Sequence, residues 1–252
     1  MLELVSGDLG PGARGVFTTR AGGVSGGRYA ARDGDGGLNL GPHVGDDDES
    51  VTANRALLDR ALGQRVTWMS QVHGARVVTV TAPPAAEAVT AGECDALVAL
   101  RNGPTTPAVA VMVADCVPLL LATPDGAQVA AVHVGRQGMV GGVVAAALAE
   151  LGARGAVVED LYASLGPSIC GRCYEVPGEM REDVASAVPE ACAETSWGTP
   201  ALDLPAGVAA QLRAAGVRRV QRLDLCTAED ERFYSYRRDG RTGRLAGVVH
   251  PA

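Results

Sequence analysis

A cysteine and a histidine interrupt two neighbouring apolar runs in the stretch VMVADCVPLLLATPDGAQVAAVHVGRQG. The runs predict two buried strands joined by a turn, and a turn centred on Asp125 and Gly126 would place Pro118 opposite His133. Because side chains alternate along a strand, Cys116 shares a face with Pro118 and becomes a diagonal neighbour of His133, roughly 7–8 Å away at the backbone. This spacing would allow both side chains to bind one metal ion, although a buried thiol and a hydrogen-bonded core histidine fit the same pattern.

The third ligand of such a site would be His73, in the QVHG motif at the polar end of another predicted strand. Two imidazoles and one thiolate give zinc three protein ligands and leave a fourth position for water or substrate, which is typical of a catalytic zinc site. Two further histidines complete the set of four. His43 is in a loop motif and could still line the site, whereas His250 is two residues from the end of the sequence.

Two features beside the candidate ligands strengthen the metal hypothesis. Asp115 puts a charge at the end of an apolar strand, where it must be paired or take part in chemistry. Gly135 and Gly138 follow His133 with Arg136 between them, and such a loop allows backbone to approach a ligand closely.

Composition excludes several classes of function. The 252 residues include 47% hydrophobic side chains and carry a net charge of −7, which argues against general nucleic-acid binding. The chain has no lysine, so a Schiff base on the enzyme and a Walker-A phosphate loop are both excluded. No apolar stretch of membrane-spanning length and no signal peptide are visible, and we therefore expect a cytoplasmic protein whose six cysteines are free thiols or ligands.

The elements that must position these residues predict one mixed α/β domain over residues 1–252. Apolar residues at helical spacing predict helices at VTANRALLDRALG, MVGGVVAAALAELGA and PAGVAAQLRAAG. Apolar runs bounded by turn residues predict strands at RVTWMSQVHG, ARVVTVTA, DALVAL, PAVAVMVADC, VPLLLAT, AQVAAVHVG, DLYASLGPSI, VRRVQRLDLC and LAGVVH. PPAAEAVTAGE is interpreted as a surface loop.

The motifs FTTRAGGVS, LNLGPHVGDD, QVHG, ADCVPLLL, AVHVG, GPSICGRCYEV and CTAEDERFYSYRRDGRTGR occur in an order that resembles the bacterial YfiH/laccase-domain family. The resemblance extends over nearly the whole chain. It implies an α/β (α+β) fold with β-sheets layered between helices. It also implies a zinc-dependent purine nucleoside phosphorylase that acts on adenosine, inosine and methylthioadenosine and also deaminates adenosine.

The resemblance assigns metal binding to the histidine of QVHG, the cysteine of ADC and the histidine that opens the family's HAGWRG motif. These positions are His73, Cys116 and His133, the three residues reached from the hairpin. Zinc is the expected metal, with copper as the alternative. The expected partners are a purine nucleoside and phosphate, without nucleic acid or membrane, and the expected assembly is a monomer or a homodimer.

Other roles also follow from the resemblance. Cys116, Asp115 and Arg20 form the expected catalytic set, in which Asp115 orients a ligand or moves a proton. Arg20, Asn39 and Arg136 are expected to bind substrate or phosphate, with Arg20 and Arg136 as the cations.

The sequence departs from the family pattern in two places. HVGRQG replaces HAGWRG, so Arg136 stands where the family has tryptophan and Gln137 where it has arginine. The segment ARDGDGG adds length before LNLG. Both changes bear on the choice of substrate more than on the metal ligands.

A thiol enzyme is one alternative class. Cys116 as a nucleophile with His133 as its base would suit an amidase acting on a mis-built peptidoglycan precursor, an activity described for a member of the family. Cys170 and Cys173 form a CxxC motif, but a structural zinc site would need a second such motif and the sequence has none. We therefore interpret this CxxC as loop packing that could line the site.

Copper oxidation and simple partner binding are the remaining functional hypotheses. Four histidines cannot supply the ligands of a multicopper oxidase, whereas a mononuclear blue-copper site could use Met112 or Met139 as an axial ligand. The stretch YSYRRDGRTGR could form a partner-binding patch, but its Asp-Gly and Thr-Gly pairs more simply predict a hairpin with solvated arginines.

Overall fold

The computed structural model describes residues 2–83, 90–102 and 107–252. Its strands in chain order are β1 Leu4–Gly7, β2 Ala13–Thr18, β3 Ala21–Ser25, β4 Val66–Thr67, β5 Val77–Val80, β6 Ala96–Leu100, β7 Ala108–Val113, β8 Val117–Ala122, β9 Gln128–Val134, β10 Tyr162–Leu165, β11 Cys192–Glu194, β12 Pro200–Leu202, β13 Arg219–Arg222 and β14 Leu245–Pro251. Its α-helices are α1 Asp48–Leu62, α2 Arg136–Val140, α3 Val143–Ala153, α4 Gly178–Ala187, α5 Leu204–Ala214 and α6 Tyr236–Asp239.

Two sheets form the centre of the fold. The first has the strand order β1-β2-β14-β7-β4 and the second has the order β13-β10-β8-β9-β6-β5, while β11 and β12 pair separately. Most neighbouring strands are antiparallel, and the exceptions are the parallel pairs β4–β7, β5–β6 and β10–β13. One of the connections between the sheets runs from β7 directly into β8, and this short connection carries the sequence ADC.

Side chains that alternate along β7 point into different apolar clusters, and this shows how the sheets are layered. Val109, Val111 and Val113 point into an apolar cluster that also contains residues of β8 and β9, so this cluster fills the space between the two sheets. Ala110 and Met112 point the other way, into a cluster with α1. The outer face of the second sheet packs against α2, α3, α4 and α5. The fold predicted from the family resemblance, sheets layered between helices, is confirmed.

The ends of α1 follow the rules for helix termini. Asp47 caps the helix by accepting the backbone N–H of Ser50 at 2.8 Å, and Asp48 and Glu49 bring negative charge to the first turn. Gly63 ends the helix with φ 71°, a left-handed conformation that glycine adopts without strain.

The β8–β9 hairpin has the predicted register. Pro118 lies opposite His133, and the turn closes with the N–H of Gly126 donating to the carbonyl of Thr123 at 2.9 Å. Gly126 has φ 66°, and a Cβ there would lie 1.8 Å from the carbonyl oxygen of Gly12. The turn is therefore fixed both by its own hydrogen bond and by the close contact with the segment around Gly12.

Some predicted elements differ from the structure. The strand predicted over RVTWMSQVHG is confined to Val66–Thr67, and the helix predicted over MVGGVVAAALAELGA is divided into α2 and α3 by Gly142, which has φ 85°. The hairpin predicted in YSYRRDGRTGR is wrong, because Ser235 caps a helical turn there, α6. Helix α4 was not predicted.

The loop predicted at PPAAEAVTAGE has residues 84–89 outside the described part of the chain. Among the described residues, no helix combines the length and the apolar character needed to cross a membrane.

Candidate metal centre

Three predicted ligands meet where the central strand β8 of the second sheet begins and its neighbour β9 ends. The ligand atoms of His73, Cys116 and His133 all lie within 4.8 Å of one another. The two imidazole rings stand edge to face, with centroids 4.7 Å apart and an interplanar angle of 79°. His133 comes from β9, Cys116 directly precedes β8, and His73 is in the turn between β4 and β5. The structure therefore brings together residues from three separate segments.

A fourth residue, Asp95, holds this arrangement in place and was missed by the sequence analysis. Its fully buried carboxylate accepts a hydrogen bond from Nδ1 of His133 at 2.8 Å. The same carboxylate accepts the backbone N–H groups of Val72, His73 and Gly74 at 3.2, 2.9 and 2.7 Å. A bond at Nδ1 leaves Nε2 of His133 as its free ligand atom, as is usual for metal-binding histidines.

Backbone geometry at the cluster is unusual in two places. His73 and Asp115 have φ values of 60° and 93°, a region that residues other than glycine rarely adopt. Gly135 permits the close approach of the ligands, because a Cβ there would lie 2.9 Å from Cδ2 of His73 and 3.2 Å from Sγ of Cys116. Strain of this kind is typical of functional sites.

The Cys116 thiol and the His133 imidazole shift each other's pKa. Burial by itself raises the pKa of Cys116, but the neighbouring His133 and His73 lower this pKa to about 6. Burial likewise lowers the pKa of His133, but the Cys116 thiolate and the hydrogen bond to Asp95 raise it to about 9. The thiolate, which is the form of cysteine that binds metals, is thus favoured near neutral pH.

The donor set fits a zinc ion or a similar divalent metal. Two imidazole nitrogens and one thiolate match the ligands of catalytic zinc sites, and Asp95 supplies the outer hydrogen bond that such sites use to orient a histidine. The three ligands also lie in the wall of a cavity of about 650 Å³. A metal here would therefore be accessible to a substrate.

Arginine side chains line the same cavity. They are Arg55, Arg237 and Arg244. Arg244 is held by the carbonyls of Thr242 and Gly243 at 3.0 and 3.1 Å, and burial lowers its pKa. The cavity therefore combines a cluster of candidate metal ligands with fixed positive charge.

Two of these guanidinium groups stack on aromatic rings. Arg55 lies 4.4 Å from the centroid of Trp68, and burial lowers the pKa of Arg55 to about 10. Arg237 lies 5.1 Å from the ring of Tyr174, which also lines the cavity. Tyr236 adds a second aromatic side chain to the wall. Stacking and hydrogen bonding pre-organise these arginines, and that reduces the entropy lost on binding an anion.

The structure places the other predicted site residues elsewhere. Arg20 is not among the residues that line this cavity, and its guanidinium donates to the carbonyl of Ala30 and packs on Tyr234. Asn39 is fully buried and hydrogen-bonds the backbone of Gly41 and Arg244. Arg20 thus holds the backbone at Ala30 and Asn39 holds the backbone at Gly41 and Arg244, and their role in binding phosphate stays a prediction.

Asp115 and Arg136 lie nearer to the centre. Asp115 borders the cavity, but its carboxylate accepts the hydroxyl of Thr227 at 2.6 Å and the backbone N–H of Arg237 at 2.7 Å. Arg136 begins α2 and interacts with the hydroxyl of Tyr174, although it is not one of the cavity-lining residues. Asp115 is therefore paired rather than free, as a buried charge should be.

The remaining candidates divide between the cavity and the core. His43 lines the cavity, as the sequence analysis allowed, and so does Met112. Met139 instead packs in the core between the second sheet and the helices, so it is not available as an axial copper ligand. His250 bonds the carbonyl of Pro251 in β14.

The missed residues differ in the signal that could have found them. Asp95 precedes an apolar strand, and the argument used for Asp115, that such a charge must be paired or useful, applies to it equally. Arg237 and Arg244 lie in YSYRRDGRTGR, a motif of the family resemblance in which solvated arginines were expected, whereas the charge and spacing of the residues around Arg55 do not distinguish a cavity arginine from an exposed one.

The chain as a whole is similar to several known proteins. A family model described as multi-copper polyphenol oxidoreductase laccase matches residues 14–251. The chain is 50% identical to the purine nucleoside phosphorylase of Streptomyces coelicolor, over 94% of this chain and 95% of the relative. Among solved structures, it is similar to YlmD of Geobacillus stearothermophilus, with a TM-score of 0.83 and 33% identity over 95% and 92% of the two chains. It is also similar to the Bacillus licheniformis hypothetical protein YfiH, with a TM-score of 0.81 and 27% identity over 94% and 92%.

Proposed function

Since the chain belongs to the family of laccase-like YfiH proteins, we propose that it is a metal-dependent purine nucleoside phosphorylase. Its substrates would be adenosine, inosine and methylthioadenosine, with hydrolytic deamination of adenosine as a second reaction. The name of the Streptomyces coelicolor relative, half of whose residues are identical, supports the first reaction. The deamination and the choice of nucleosides come from the family resemblance alone.

One observation carries this proposal: the cluster of His73, Cys116 and His133 shares a single cavity with three guanidinium groups. A phosphorylase must bind an inorganic phosphate beside a neutral nucleoside. Guanidinium groups are the usual partners of phosphate. A cavity of about 650 Å³ lies within the usual range for small-molecule sites.

In phosphorolysis, a phosphate oxygen forms a bond to C1 of the sugar while the bond from that carbon to the purine nitrogen breaks. Arg55, Arg237 and Arg244 would hold the phosphate, and its negative charge would stabilise the positive charge that develops on the sugar. Tyr174 and Tyr236 offer ring faces to the purine. The purine leaves as an anion that must take up a proton.

His73, Cys116 and His133 would hold the metal, for which we propose zinc. A bound divalent metal would supply Lewis acidity to an oxygen or nitrogen ligand in the cavity. Asp95 would keep Nε2 of His133 directed at that position through the bond at Nδ1. In deamination, the oxygen of water replaces the amino group at the purine C6 and ammonia leaves.

A thiol amidase is the second candidate. His133 lies between the carboxylate of Asp95 and the thiol of Cys116, which is the order of groups in a nucleophilic triad. The amidase would not need His73, whose ring stands 4.7 Å from that of His133. The presence of this third ligand favours the metal enzyme.

The test is chromatography of the products formed when zinc-loaded protein meets adenosine with and without phosphate. We expect phosphate-dependent adenine, together with inosine that forms without phosphate. Cys116→Ala should abolish both products, whereas Cys192→Ala, at an exposed cysteine away from the cavity, should abolish neither. Adenine at equal rates in wild type and Cys116→Ala, or no product at all from the wild type, would contradict the proposal.

A further inference from the structure

A second group of metal-binding side chains lies outside the centre just described. The ligand atoms of Cys170, Cys173, Cys226 and Glu229 all lie within 4.8 Å of one another. Oε1 of Glu229 is 3.3 Å from Sγ of Cys173 and 3.9 Å from Sγ of Cys170. None of the four is among the residues that line the cavity of the first centre. The cluster is therefore a separate feature of the molecule.

Two similar turns present these four side chains. The N–H of Cys173 donates to the carbonyl of Cys170 at 3.0 Å, and the N–H of Glu229 donates to the carbonyl of Cys226 at 3.2 Å. Each turn thus offers its residues i and i+3 on one side, as C-x-x-C and C-x-x-E. The sequence has no second CxxC motif, and the structure supplies its counterpart from a segment more than fifty residues away.

Hydrogen bonds join the two turns directly. The N–H of Ser168 donates to the carbonyl of Leu225 at 3.2 Å, and the N–H of Thr227 donates to the carbonyl of Ser168 at 3.1 Å. The N–H of Cys170 also donates to Sγ of Cys226 at 3.4 Å. The positions of the four side chains are therefore set by backbone pairing, so a metal would find its ligands close together.

We propose that Cys170, Cys173, Cys226 and Glu229 form a second metal site that binds zinc with four protein ligands and holds structure rather than performing catalysis. Three soft thiolates select zinc over magnesium or calcium, and a carboxylate oxygen is an accepted fourth ligand. Four protein ligands fill a tetrahedral zinc ion and leave no position for substrate.

The surroundings of the cluster match this role. Arg172 donates to both oxygens of Glu229, at 3.2 and 3.0 Å, and its charge offsets part of the negative charge of three thiolates and a carboxylate. Oε1 faces the thiols, so Oε2 can keep the bond to Arg172 while Oε1 binds metal. Glu229 is exposed and a second cavity, of about 430 Å³, borders Cys170 and Cys226, so a metal ion has a way in.

The second site would brace the wall of the first cavity. Ile169 and Tyr174, which flank the CxxC turn, line that cavity. Thr227, next to Cys226, donates its hydroxyl to Asp115. A metal that joins the two turns would therefore fix side chains beside the first centre without touching a substrate.

Metal content per chain tests the proposal without any measurement of activity. Protein purified under reducing conditions and loaded with zinc should hold two ions per chain, one for each cluster. Cys116→Ala should hold one, Cys170→Ser/Cys173→Ser should hold one, and the triple variant should hold none. Cys192→Ser is the matched control, because it removes an exposed cysteine outside both clusters and should hold two.

Cobalt substitution identifies the ligands of each ion. Sulfur-to-cobalt charge-transfer absorption grows with the number of thiolates, so Cys116→Ala should show about three times the absorption of Cys170→Ser/Cys173→Ser. Glu229→Gln changes only an exposed side chain, so it keeps the proposal testable if the double variant does not fold. It should weaken one of the two sites by at least about 10-fold in a chelator competition.

Two results would overturn the proposal. One is a wild-type protein that holds a single zinc ion and loses it entirely in Cys116→Ala. The other is a disulfide between any two of Cys170, Cys173 and Cys226 in zinc-loaded protein from which the reductant has been removed, detected by counting free thiols after denaturation with a chelator.

Discussion

Replacing Asp95 by asparagine should weaken both the metal centre and the fold. The carboxylate accepts four hydrogen bonds, from Val72, His73, Gly74 and His133, and two arrive at each oxygen. Asparagine turns one oxygen into an NH₂ donor, so two of the four bonds are lost whichever way the amide faces. A hydrogen bond to a charged group contributes about 1.5–3 kcal/mol, and the partly exposed turn recovers some of this from water.

The lower end of that range for both bonds predicts a loss of about 3 kcal/mol in the free energy of unfolding of metal-free Asp95→Asn. Zinc affinity should fall about 10–100-fold, because His133 exchanges a charged carboxylate partner for a neutral amide, which fixes its tautomer and ring orientation less strongly in either orientation of the amide. Urea denaturation in the presence of a chelator measures the first effect. Competition with a chromophoric zinc chelator measures the second.

Asp115→Asn is the matched control, since it also changes a buried carboxylate that accepts a backbone N–H, here from Arg237. It should reduce stability but change zinc affinity far less than Asp95→Asn, because Asp115 does not touch either imidazole. If Asp95→Asn binds zinc as the wild type does while losing stability, Asp95 only braces the turn. The reasoning about His133 would then be wrong.

Gly135→Ala should reduce zinc affinity, because its Cβ would press on His73 and Cys116. Gly152→Ala is the control: it lies in α3 with open space around its Cα, so it should bind zinc normally and gain about 0.5–1 kcal/mol of stability. Isothermal titration measures the zinc affinity of both variants, and urea denaturation measures their stability. Arg244→Lys should raise the KM for phosphate in the phosphorolysis assay more than Arg20→Lys does, and the reverse order would favour the residue chosen from sequence. Asp125→Ala should cost about 0.5–1 kcal/mol at neutral pH, discounted for solvent exposure. A backbone N–H and a hydroxyl of the same turn lower the pKa of Asp125, so its contribution is present above the ordinary value of 3.8 and is lost as pH falls through the lower folded value. Denaturation at pH 7 and at low pH checks this, and a difference that persists in acid would contradict it.

Local features of the chain were predictable because their physical causes are local. The register of the β8–β9 hairpin follows from one turn and from strand alternation, and this was enough to place Cys116 and His133 together. Helix α1 follows from its spacing and from the Asp47 cap. The QVHG motif at the end of another predicted strand then added His73, the family resemblance assigned the same three residues, and the fold and the family are confirmed.

Contacts between distant segments were not predictable in the same way. The CxxC turn has no partner in the sequence around it, because nothing nearby indicates that Cys226 and Glu229 would reach it. Arg20 was chosen for phosphate from a motif, yet Arg244 lines the cavity and Arg20 does not. A motif identifies an arginine, but it does not determine where the long, flexible side chain of that arginine places its guanidinium group.

By itself, the sequence determined the hairpin register, the principal helices and the choice of three candidate metal ligands. Each depends on residues close together in the chain or on short motifs in order. Only the tertiary structure decided that Asp95 supports the metal centre and which arginines line the cavity. The physical reason is that sheet pairing and the packing of the two sheets set these distances, and both join residues that are far apart in the chain.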